Sequence, residues 1–149
     1  MSEKHTIEQL QAMPDAELGE IAAKLRGYKF DADTSELLNE SGSTESFGGL
    51  RVFKLGVKPY CENYDRWNPA ADIAQAYGLL TWAMERDSKI EFHLHLMRRR
   101  SKTTGQPCIS VCSYGMSGSS VMYEVSGNDA RAMVYAFVLA MQEVNSGDN

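Results

Sequence analysis

Residues 64–87 read YDRWNPAADIAQAYGLLTWAMERD, and the rest of the chain is read by asking what this stretch packs on. Asn68 followed by Pro69 marks a helix start. The Asn side chain can accept from an orphan N–H of the first turn, and proline at the first helical position gives up a donor that has no partner there. Behind it Ile73, Ala76, Tyr77, Leu80, Ala83 and Met84 recur at three- and four-residue spacing, which predicts one core-facing helix face. Trp67, just before the cap, and Tyr64 read as staples that fix the chain's approach to the core.

Downstream, Ile90, Phe92, Leu94 and Leu96 alternate with Glu91, His93 and His95, the period of a strand with one buried face over residues 90–97. A second strand is predicted over 108–114. A third is predicted over 120–125, where Val121, Tyr123 and Val125 alternate with Met122 and Glu124. The short Gly/Ser link 115–119 is typical of a hairpin, and three successive strands read as an antiparallel meander. The closing element, from Asn128 or Asp129 to about Val144, is apolar on nearly all sides between Ala132 and Met141, which predicts deep burial.

Upstream, Thr6 with Gln9 matches a capping box before Ile7 and Leu10. Pro14 restarts the chain, and Leu18, Ile21, Ala22 and Leu25 predict a helix over 14–26. Acids at Asp15 and Glu17, bases at Lys24 and Arg26, and Gly27 as the C′ residue all suit its polarity. A strand is expected over 50–58, ended by Lys58-Pro59 and followed by an aromatic, turn-like stretch to Trp67. Residues 31–49 carry Asp31, Asp33, Glu36, Glu40 and Glu45 among Ser, Thr, Asn and Gly with no basic residue. They read as a flexible acidic insertion. The expected class is α+β, a layered sandwich of helices on a small antiparallel sheet: a three-stranded meander plus one further candidate strand.

A chain of 149 residues, 43% hydrophobic and 23% charged, is the size and composition of one soluble domain. No stretch approaches the roughly 18–20 uninterrupted apolar residues of a membrane span, and the N-terminus is not expected to be a signal peptide. Three cysteines without framework spacing read as reduced thiols. The net charge of −5 is uneven: residues 1–49 hold four Lys/Arg against ten Asp/Glu, and the remainder is close to neutral. With a pI of about 5.2 and no basic stripe along the whole chain, a dedicated nucleic-acid binder is not expected.

Candidate chemistry is sparse. His93 and His95 share a strand face, a spacing that occurs in zinc sites. The possible further ligands Cys108 and Cys112 lie about 13 Å apart on an extended strand, and solvent-side histidines are the preferred reading. Arg98, Arg99, Arg100 and Lys102 form a basic cluster that could grip phosphate or could simply keep a sheet edge soluble. The Gly/Ser loop after Tyr114 lacks the Lys-Ser/Thr ending of a P-loop. No pair of acids has the context of general acid/base work, so neither an enzyme nor a cofactor is expected.

Trp67 to Ala76, with Pro69, Asp72-Ile73-Ala74 and Ala76-Tyr77, resembles the phage ABA-sandwich domain family. So do the meander, the Ala-rich closing helix 130–141 and Leu25-Arg26-Gly27-Tyr28. The resemblance covers residues 14–28 and 64–144 and implies a bacteriophage or prophage origin and the same fold, with no shared catalytic residues to carry over. Together with the acidic segment, it leads to the expectation of a phage accessory protein that works by binding in the host bacterial cytoplasm. Its action would be to inhibit a host immune effector, in an anti-CRISPR-like manner. Asp31, Asp33, Glu36, Glu40 and Glu45 would meet a basic nucleic-acid-binding partner, and Arg98–Arg100 with Lys102 are further contact candidates. The alternatives are sequestration of a nucleotide signal by Arg98–Arg100, Tyr114 and 117–120, and direct nucleic-acid binding through the basic hairpin.

Overall fold

The computed structural model describes residues 4–87, 89–100, 107–116, 122–127 and 129–147. Helices α1 (Ile7–Ala12) and α2 (Asp15–Arg26) lead into the short strands β1 (Lys29–Phe30), β2 (Leu37–Leu38) and β3 (Ser46–Phe47). Next come β4 (Leu50–Lys54), β5 (Tyr64–Trp67) and helix α3 (Ile73–Arg86). Strands β6 (Ile90–Arg100), β7 (Pro107–Met116) and β8 (Met122–Gly127) follow, and helix α4 (Asp129–Gly147) closes the chain. The class is α+β.

Helix α4 is enclosed. Every residue from 132 to 138 is buried, which no helix lying on a surface achieves. It packs on β7 and β8 on one side and meets α1, α2 and α3 on others, while α3 also touches β6. The layers therefore run sheet, α4, outer helices. Ala132, Ala136 and Ala140 are among its buried residues, and side chains this small let neighbouring elements approach closely.

The three long strands form the expected antiparallel meander, β6-β7-β8. Strand β6 runs further than the alternation suggested, to Arg100, because a bulge between Leu96 and Arg99 absorbs the break in pattern. Arg98, Arg99 and Arg100 thus lie on a paired strand, not in the hairpin connection, and Lys102 falls outside the described residues. The link 117–120 also lies outside them.

A second sheet has the order β3-β4-β5. β4 stops at Lys54, short of the predicted 58, and pairs in parallel with β5, from Arg51↔Tyr64 to Lys54↔Trp67. The stretch read as an aromatic turn thus ends in a strand. Residues 31–49, read as a flexible insertion, hold β2 and β3, bury Leu37 completely and stack Phe47 on Trp67 at 6.2 Å.

Two features of α3 differ from expectation. Its N-cap is Asp72, whose Oδ1 accepts from the Gln75 N–H at 3.1 Å, not Asn68. Asn68 instead opens a preceding turn in which its carbonyl accepts from the N–H groups of Ala71 and Asp72. Its own Oδ1 is buried without a partner. The buried face is Gln75, Ala76, Leu79, Leu80 and Ala83, so Ile73 and Tyr77 stand 50% and 54% exposed. Gln75 hides this stripe from a hydrophobicity reading. It is polar yet buried, because Nε2 donates to Arg66 O and Oε1 accepts from Asn68 N, each at 2.7 Å.

The staple role of Trp67 is visible: the ring is buried, its Nε1–H donates to Gly19 O at 2.7 Å, and Tyr28 meets it edge-on at 5.4 Å. Thr6 and Gln9 form the full capping box. Arg131 on α4 closes the α1–α2 corner, donating to the carbonyls of Met13 (2.8 Å) and Leu10 (3.4 Å), to Asp15 and to the Tyr135 hydroxyl (2.7 Å).

Three substitutions test this account by chemical denaturation. Arg131→Met should lower stability by about 2–3 kcal/mol, because charge-assisted bonds at the corner are lost together. Gly27 has φ +88°, and a Cβ there would sit 2.7 Å from Glu40 Cγ, so Gly27→Ala should cost about 1–2 kcal/mol. Gly78 lies within a helix with no atom within 4 Å of a Cβ, so Gly78→Ala should stabilise by about 0.5–1 kcal/mol.

Candidate functional site

Helix α2 ends on the left-handed Gly27, and that turn swings the chain so that Arg26 lies between two rings. Its guanidinium carbon is 4.5 Å from the centroids of both Tyr28 and Trp82, and Nη1 is 3.3 Å from Glu40 Oε1. Arg86, one turn beyond Trp82 on α3, stands 5.2 Å from the same indole. Each such contact is worth about 0.5–1 kcal/mol at a partly exposed position, so Arg26, with two of them and an ion pair, is held in place, and Arg86 is biased toward the indole. They border a cleft of about 900 Å³ whose walls include Lys24, Leu25, Met141 and Gln142. The Gln142 side chain fastens the N-terminal segment at its edge, accepting from His5 N at 2.7 Å and donating to His5 O at 3.1 Å. Arg26 also borders a smaller cavity of about 260 Å³, lined by Tyr28, Glu45, Phe47, Trp67 and the α3 residues Ala74 and Gly78.

A second cluster lies on β4 and the acidic segment. Asp31 Oδ1 accepts from the N–H groups of Asp33 (2.8 Å) and Thr34 (2.9 Å), and Ser35 takes a left-handed φ of +63°. This turn delivers Glu36 to a bridge with Phe53, where only 6% of the residue remains exposed. A buried carboxylate needs donors, and Arg51 Nη1 (2.9 Å) and the Tyr60 hydroxyl supply them. Tyr60 also packs edge-on against Phe53 at 5.5 Å. The hydrogen bond to Glu36 pushes the Tyr60 phenol above its ordinary pKa and does the same for Arg51. The backbone N–H groups of Thr34 and Asp33 hold the Asp31 carboxyl below its ordinary range. Burial raises Tyr28.

The five acids expected to face a partner therefore separate. Asp33 is exposed, Glu40 flanks Arg26, and Glu45 rims the smaller cavity. Glu36 is turned inward, and Asp31 caps its own turn. The side chains of Arg98–Arg100 and Tyr114 lie outside the described residues, as do Lys102 and 117–120, so the phosphate-gripping hairpin gains no geometry. His93 is exposed, 3.7 Å from Glu91, and the register sets Cys112 opposite Leu94 and opposite neither histidine. Among the described residues no three His, Cys, Asp or Glu side chains could hold a metal ion, and no helix is long and apolar enough to cross a membrane.

Sequence reasoning missed Arg26, Trp82 and Arg86. The four-residue spacing of Trp82 and Arg86 on one helix was a usable signal; the partnership with Arg26 across two elements was not. No protein-family model, curated protein or solved structure matches the chain.

Two titrations follow. Glu36→Gln removes the anion beside Tyr60 and should bring one tyrosine of the tyrosinate absorbance titration down, an effect absent from a Tyr60→Phe background; an unchanged curve would contradict the Glu36–Tyr60 contact. Because the Asp31 pKa is depressed on folding, its contribution to stability is complete above the ordinary aspartate pKa. It is lost as pH falls through the lower folded value. Asp31→Asn should therefore flatten the acid limb of the stability–pH curve, measured by denaturation at several pH values.

Proposed function

We propose that the chain is a phage accessory protein that acts by binding, inhibiting a host immune effector through protein–protein contacts in the host bacterial cytoplasm. One observation carries the protein-binding reading: an uncharged shelf on α3 with the Glu45 carboxylate beside it. Ile73, Ala74, Tyr77 and Gly78 are all exposed, and none carries a charge. Around the smaller cavity Ala74 and Gly78 meet Phe47 and Glu45 of the acidic segment. An apolar centre with a polar, charged rim is the anatomy of a protein interface. That rim holds both Glu45 and Arg26; a basic partner, such as a protein whose own site binds nucleic acid, is favoured by the acidic excess of residues 1–49, and the inhibitory, anti-CRISPR-like role rests on the resemblance of residues 14–28 and 64–144 to phage proteins.

Capture from a bacterial lysate should yield one partner whose binding weakens with salt and is lost in Tyr77→Glu. In Asp33→Asn/Glu45→Gln the association rate should fall more than the dissociation rate rises. Expression of the wild-type chain should also raise phage plaquing on a host with active immunity. Recovery of no partner, with no change in plaquing, would sink the proposal.

A further inference from the structure

The cleft between α2, α3 and α4 gathers three cations in a chain of net charge −5. Lys24 and Arg26 are two of only four Lys/Arg in residues 1–49, and both line it, joined by Arg86 from α3. Each of the three sits in the last turn of its helix, where a cation offsets the negative end of the dipole. Dipoles do not require two last turns to open on one cavity.

Three acids also line the cleft, and their positions decide its polarity. Glu40 is engaged by Arg26, and Glu20 by Lys54 at 2.5 Å. Glu17 lies seven residues before Lys24 on α2, about 10 Å away along the axis. Among the described residues neither Lys24 nor Arg86 has a carboxylate within ion-pair distance, so these two lining cations are free to meet an anion. The apolar part of the wall is Ile21, Leu25, Met141 and Trp82, beside the polar His5, Gln142 and Asn145. At about 900 Å³ the cleft falls within the roughly 300–1,000 Å³ of small-molecule sites.

We infer that this cleft binds a small organic anion with an apolar body, its phosphate or carboxylate held by Lys24 and Arg86 and its body resting on Ile21, Leu25 and Met141. Arg26 is already committed to Glu40, Tyr28 and Trp82, so it shapes the pocket and adds field, and Arg86 is pre-placed by its contact with Trp82. This site adjoins the smaller cavity beside the α3 shelf, since Arg26 borders both, but its test reads a small ligand and is independent of the protein-contact reading.

Isothermal titration of the full chain with phenyl phosphate, inorganic phosphate and phenol tests the inference. Phenyl phosphate should bind with a Kd of about 1 mM or tighter, and each fragment about tenfold more weakly. Lys24→Gln and Arg86→Gln should each weaken phenyl phosphate about tenfold at unchanged melting temperature, while Lys58→Gln leaves it unaltered. Absence of binding by phenyl phosphate, equal binding by inorganic phosphate, or full affinity in the Lys24→Gln/Arg86→Gln double variant would each overturn it.

Discussion

A helix that is apolar all round has to be surrounded, and α4 imposes that demand on everything else. The β6-β7-β8 meander can cover one side only. The remaining directions are filled by α1, α2 and α3, three separate elements that must each be held against the same axis. The lateral order of the molecule follows from this. The long sheet supplies one layer, α4 the middle one, and the outer helices, with the small β3-β4-β5 sheet reached through Trp67, the last.

Besides its buried face and the Trp67 bond to Gly19, α2 is held in that arrangement by two arginines, one near each of its ends. Arg131 reaches from α4 to Asp15 at the start of α2 and to the last carbonyls of α1. At the other end Arg26 is gripped by Tyr28, Trp82 and Glu40, which ties the helix to α3 and to the acidic segment at once. Arginine suits both places because its planar fork can donate in several directions while its face stacks on rings. The cleft beside Trp82 is a consequence of this tether, since the ends of two helices are brought together without their side chains filling the space between.

What was legible in the sequence was local. The Thr6/Gln9 box, Gly27 after α2, the alternation from Ile90 and the unbroken apolar surface of α4 each express a rule that acts within one element. Where two local signals competed, the reading slipped. Asn68-Pro69 and Asp72 are both good helix starts, and burial of Pro69 and Ala70 in the preceding turn favours the later one. Relations between elements were not legible at all: the parallel β4–β5 pairing, the inward turn of Glu36 and the stacking of Arg26 on Trp82 depend on residues brought together by the chain's path.

The same distinction changes what the acidic N-terminal third means. Asp15, Glu20, Glu36 and Glu40 are each taken up by a basic residue from another element: Arg131, Lys54, Arg51 and Arg26. Asp31 is taken up by its own turn. Much of the acidity therefore serves to fasten α2 and residues 31–49 to the rest of the molecule. Such partly exposed pairs contribute little energy singly, but their partners lie on different elements, so together they fix position. Carboxylates such as Asp33 and Glu45 remain available to a partner, too few to supply an electrostatic interface by themselves. Binding at this surface would have to draw its energy from the uncharged shelf of Ile73, Ala74, Tyr77 and Gly78. The acids would then set the rate and orientation of approach.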